Sequence, residues 1–118
     1  MDEAKIFSEG CLQFDQGDYF EAHELWEDLW HSAIGKRHPY LQGLIQVAVA
    51  MHHAGNGNLR GAKKLLASSY HYLEKAGEGP YEVDIEKLRD HMVDFEMALE
   101  KHAAGDPIPF PFFKLPMR

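Results

Sequence analysis

Cysteine is almost missing from this chain of 118 residues, which holds only Cys11. A single thiol makes no intrachain disulfide and no Cys-x-x-Cys metal or redox site, so Cys11 reads as a small buried apolar side chain. Base is scarce as well, with 12 Lys and Arg against 19 Asp and Glu and a formal net charge of -7. Clustered Lys and Arg are what neutralise phosphate, so this balance argues against a nucleic-acid or anionic-membrane surface and leaves a basic partner open. No apolar run approaches the roughly 20 residues needed to cross a bilayer. Met1-Asp2-Glu3 carries neither the basic nor the apolar part of a signal peptide, and a cytoplasmic protein is the expectation. Nowhere do apolar and polar residues alternate with the period of two that marks a half-buried strand, so the fold class is all-α.

What is present suffices for one core. The chain is 45% hydrophobic and 12% aromatic, enough apolar surface to offset the conformational entropy of a single domain of this size. One domain over residues 1–118 is expected, with a helical bundle in 1–105 and an extended tail in 106–118. Phe7, Cys11 and Phe14 share a stripe on a first helix from Asp2 to Gln16, stopped by Gly17. Asp18 stands where it caps a second helix reaching about His31, with Ala22, Leu25, Trp26 and Leu29 on its inner side. A third helix runs from about Pro39 to Ala54, and a fourth to about Ala76 on Ala62, Leu65, Leu66 and Leu73. A fifth starts after Asp84 with Leu88, Met92, Phe95 and Leu99 on one stripe and ends at Gly105.

Two turns repeat. Gly17-Asp18-Tyr19-x-x-Ala22 and Gly57-Asn58-Leu59-x-x-Ala62 lie 40 positions apart, each with a glycine for the reversal, an Asx for the cap and a small alanine for close helix approach. The unit looks like the hairpin of tetratricopeptide repeats. Two copies are too few for a solenoid, so the expectation is a compact five-helix bundle of two such hairpins plus a fifth helix. The tail from Pro107 to Arg118 cannot be helical, because its alternating prolines remove donors and fix extended geometry. Ile108, Phe110, Phe112, Phe113 and Leu115 need cover, from a strap across their own bundle or from a neighbouring subunit.

The third helix is apolar almost all round, which makes it central, yet Gln42, Gln46 and His53 fall with Val49 on one narrow line along it. Buried and unpaired, each polar group there costs roughly 1–3 kcal/mol, so partners are expected. The second helix offers His23, Glu27 and Trp30 at i, i+4 and i+7, with Phe20 and Glu24 beside them. If helices two and three are antiparallel, His23 and Glu24 approach His53 and Glu27 approaches Gln46. Glu24 and Glu27 then sit inside, where a bound cation, a protonated carboxyl or a histidinium compensates them. The candidate pocket is therefore His23, Glu24, Glu27, Trp30, Gln42, Gln46 and His53.

Such a cluster fits three uses. It can serve as a structural hydrogen-bond network, or as a polar pocket of a binding or scaffolding module. Alternatively His23, Glu24, Glu27 and His53 can hold a divalent metal for a metal-dependent hydrolase or oxidoreductase. Neither helix has the Glu-x-x-His of ferritin-like sites, and His23-Glu24-Leu25-Trp26-Glu27 lacks the second histidine of zincins. His52 points about 100° from His53 and reads as a surface or interface residue. The Gly55–Gly61 segment has no Walker or dinucleotide fingerprint, so a helix cap explains it better than phosphate binding. A protein partner or a second copy of the chain remains open.

Three ordered segments carry a family resemblance: Gly17 to Glu24 followed by Trp30, Leu41-Gln42-Gly43-Leu44-Ile45-Gln46, and His53 through Asn58 to Gly61-Ala62. Over about the first 75 residues they resemble domain-of-unknown-function family 309. The resemblance implies a small all-α bundle found mainly in bacteria and archaea, with no established activity. It carries motif positions onto His23, Glu24, Trp30, Gln42, Gln46 and His53. Trp26 stands where that pattern has an aliphatic residue, a departure that would reshape the pocket floor.

Overall fold

A computed structural model describes residues 2–118, which form five α-helices: α1 (Glu3–Asp15), α2 (Tyr19–Trp30), α3 (Arg37–Gly55), α4 (Leu59–Ala76) and α5 (Ile85–Ala103). The expected boundaries hold to within two residues, and α3 takes Pro39 into its first turn, where a missing N–H costs nothing. Among the described residues there is no strand beyond a lone antiparallel bridge between Val83 and Met117. Consecutive helices pack on one another, α1 on α2, α2 on α3 and α3 on α4.

The repeated turns are the same object. Gly17 N–H donates to Phe14 O at 2.9 Å and Asp18 N–H to Gln13 O at 2.8 Å, while Gly57 donates to Ala54 O at 3.1 Å and Asn58 to His53 O at 2.8 Å. Both glycines have positive φ, 86° and 81°, which side-chain-bearing residues avoid. The caps differ: Asn58 Oδ1 accepts from Gly61 N–H at 3.0 Å, whereas Asp18 makes no side-chain cap, contrary to expectation. Asp84 does cap α5, accepting from Lys87 N–H at 3.1 Å.

Trp26 is the centre of the α1–α2 interface. It is fully buried, 6.1 Å from both Phe7 and Phe14, and its indole N–H donates to Phe7 O at 3.3 Å. Gly10 makes room for it, since a Cβ there would stand 2.3 Å from the indole nitrogen. Trp26 is therefore core, as its place on the inner stripe of the second helix predicts, and it shapes no pocket floor.

The tail closes on its own bundle. Phe113 packs 5.5 Å from Phe14 and stacks on His91 at 5.1 Å, Phe112 lies 5.1 Å from Phe95, and Phe110 meets Tyr19 edge-on at 6.2 Å. Leu115 is buried and its N–H donates to Asp15 Oδ1 at 2.8 Å, across 100 positions of sequence. Backbone bonds from Asp84 N–H to Pro116 O (2.8 Å) and Arg118 N–H to Glu82 O (3.0 Å) fasten its far end. The strap thus lies between α5 and the α1–α2 hairpin.

A second fastening joins α3 to the segment before α5. Arg37 grips Glu82 with two bonds, 3.2 and 2.9 Å, and its guanidinium lies over the rings of Phe7 and Tyr40. Burial would raise the Glu82 carboxyl, but the Arg37 fork outweighs it and holds the group below its ordinary value. Tyr40 OH accepts from Val83 N–H at 3.1 Å, and its ring stacks on Tyr81 at 4.0 Å. Cys11 is buried, and desolvation first, then Asp15 and Glu82, push its thiol up to about 12, which keeps it protonated and unreactive.

Candidate functional site

Three lines run along α3. His52, one of the line Leu41, Ile45, Ala48 and His52, lies 5.5 Å from the Phe20 ring of α2. The opposite line contains Gly43, against which Leu73 of α4 packs so closely that a Cβ would stand 2.6 Å from it. Gln42, Gln46, Val49 and His53 fall between the two, about 100° from each. All four are half-buried. The polar line expected inside is thus only half-buried, on the side of α3 between the line that meets α2 and the line that meets α4.

The expected antiparallel pairing of α2 and α3 is present. Phe20 at the start of α2 meets His52 at the end of α3, and Trp30 at the end of α2 stacks on His38 in the first turn of α3 at 4.6 Å. His52 is the imidazole that faces α2, where His53 was expected, since one residue rotates the helix by about 100°. His53 Nδ1 instead lies 3.4 Å from the Asn58 side-chain amide in the adjoining turn.

On α2, His23 and Glu27 come together at 3.6 Å, and His31 stands 3.9 Å from the other Glu27 oxygen. The His23 ring is held by a hydrogen bond between Nδ1 and Phe20 O and by edge contact with the Phe20 ring at 4.8 Å. Glu24 is exposed and the Glu27 side chain is 47% exposed. This corrects the expectation of interior carboxylates: both face water, and no compensating cation is required. Among the described residues, no three His, Cys, Asp or Glu side chains are grouped so as to hold a metal ion. Of the proposed ligands His23, Glu24, Glu27 and His53, only His23 and Glu27 form a close pair.

Two polar atoms in this region are buried without a hydrogen-bond partner among the described residues, Gln46 Oε1 and Trp30 Nε1. The hydroxyls of Tyr19 and Tyr70 are also buried without a well-formed hydrogen bond, one facing the Phe112 backbone of the tail and one facing Glu96 from α4. Burial, and next the neighbouring Glu96, push the Tyr70 phenol up, so it stays a neutral donor. Sequence reading found Gln46 and Trp30 as anomalies of pattern. It read His52 as a surface or interface residue, and only the spacing to the buried Ile45 and Ala48 could have placed it against α2.

A compact all-α unit of five helices is the structural class. Domain of unknown function (DUF309) matches residues 7–65, α1 to the first part of α4, and the chain belongs to that family. It is 45% identical over 58 residues to the uncharacterized protein YpuF of Bacillus subtilis (strain 168). That match takes in 48% of this chain and 33% of YpuF, so the chain spans about a third of that relative's length. The family and the relative are both without an established function. No helix among the described residues is long and apolar enough to cross a membrane.

Proposed function

We propose that the protein is a small helical binding module whose recognition surface is the α3 trough and its α2 rim. His23, Glu24, Glu27, Trp30, Gln42, Gln46 and His53 supply its polar groups. The observation that carries this reading is the pair of unpaired buried atoms, the Gln46 carbonyl and the Trp30 indole N–H. Each costs roughly 1–3 kcal/mol in a domain stable by only a few times that, and an incoming ligand with its own donor and acceptor would recover the loss. The half-buried Gln42 and Val49 add a polar and an apolar contact on the same floor. A metal-dependent hydrolase or oxidoreductase would need His53, engaged with Asn58, to join the His23–Glu27 pair.

The test is amide and side-chain NMR mapping against a library of small amides, alcohols and carboxylates. Binders should shift Gln46, Trp30 and His23 resonances and weaken with Gln46→Met or Trp30→Phe. A library in which no member moves these resonances, or binders indifferent to both substitutions, would overturn the reading.

A further inference from the structure

The outer surface of α2 is the most one-sided in the molecule. Its twelve residues include Glu21, Glu24, Glu27 and Asp28 and no Lys or Arg. Among the described residues, the sole ion-pair partners of these carboxylates are His23 and His31, both on Glu27. Beside them stands Phe20, 51% exposed, one of the few large apolar side chains the fold leaves in water. Its ring does not hang free: it is propped by His23 at 4.8 Å and His52 at 5.5 Å. Phe20, His23, Glu24, Glu27 and Asp28 line one shallow depression.

An aromatic face fixed next to three carboxylates suits a cation with an alkyl stem, which lays its methylenes on the ring and its head among the oxygens. From this juxtaposition we infer that the α2 face docks a Lys/Arg-rich segment of a partner protein. The inference rests on the binding-module reading and names the partner class for its rim. Charge decides between occupants. A second copy could offer Arg60, Lys63 and Lys64 of α4, but it brings a net charge of -7 against another -7, whereas a basic segment is attracted over the whole approach.

The experiment is NMR and calorimetric titration of the full chain with a blocked peptide of alternating Arg and Ser, at low and raised salt. Amide shifts should gather on α2. The triple variant Glu24→Gln, Glu27→Gln, Asp28→Asn should bind about tenfold more weakly and Phe20→Ala about fivefold. A control triple on α5, Asp90→Asn, Asp94→Asn, Glu100→Gln, removes equal charge and should change affinity by less than about twofold. Equal weakening by both triples means attraction by net charge alone and overturns the inference, as do shifts centred away from α2. Self-association of the unmodified chain abolished by the α2 triple would overturn it in favour of a second copy. The fragment test of the trough uses Gln46 and Trp30 and none of these carboxylates, so failure of the binding-module reading and failure of this inference are told apart.

Discussion

The tail interface and the α3 trough lie on two sides of the same small bundle and are built by opposite rules. At the tail, nearly every apolar group has a partner: Phe113 meets Phe14 and His91, Phe112 meets Phe95, and Leu115 donates to Asp15. In the trough, Gln46 and Trp30 bury atoms that no described residue satisfies, and Phe20 at its rim remains half in water. The first side is explained largely by apolar packing, with the Tyr19 hydroxyl the one buried polar atom there short of a well-formed hydrogen bond among the described residues. The second spends stability for nothing the fold returns, which is why it is the side to search for function.

Substitutions can break this comparison. Removing residues 107–118 strips the buried Leu115, at about 1.5–3 kcal/mol, and the half-buried Phe112 and Phe113, at roughly half that each. Urea denaturation followed by circular dichroism should then show α5 released and most of the stability gone, the largest effect of all. Trp26→Ala should cost about 3–5 kcal/mol in the same assay, because it empties the α1–α2 core. Asp15→Ala should cost about 1.5 kcal/mol by leaving Leu115 N–H without its charged acceptor.

A smaller effect concerns acid. The Glu82 carboxyl is held below its ordinary value of 4.5, so its contribution is complete above that pH and is lost as pH falls through the folded value. For a pair about a third exposed on each side, this amounts to roughly 0.5 kcal/mol. Denaturation profiles at neutral and acidic pH should differ by that step, and Glu82→Gln should abolish it. Smallest of all, Gln46→Met and Trp30→Phe should lie within about 0.5 kcal/mol of the parent or be more stable, since each removes an unpaired group. A loss there as large as at Asp15 would make the trough structural and erase the contrast.

The helices were legible because their stripes and glycine–Asx turns are local signals. Phe7 through Phe14, the paired Gly17 and Gly57 hinges and the Asp84 cap all depend on neighbours within a turn or two. The trough was legible in composition but not in depth: Gln42, Gln46 and His53 stood out as polar on an apolar helix, yet nothing in the pattern says which side of α3 is left uncovered. Helical phase explains the exchange of His53 for His52, for an error of one residue is more than a quarter of a turn. Arg37 with Glu82 and Asp15 with Leu115 were invisible for a different reason, since pairs 45 and 100 positions apart leave no spacing to read.

The contact between Leu115 and Asp15 has a consequence for how the chain comes into being. Phe14, Tyr19 and Phe95 acquire their cover from residues translated after all five helices. A nascent chain therefore holds a greasy slot open until the tail returns to α1, and closing a loop of that span is slow compared with forming the helices themselves. During that interval the slot is available to chaperones, and to the tails of neighbouring nascent chains.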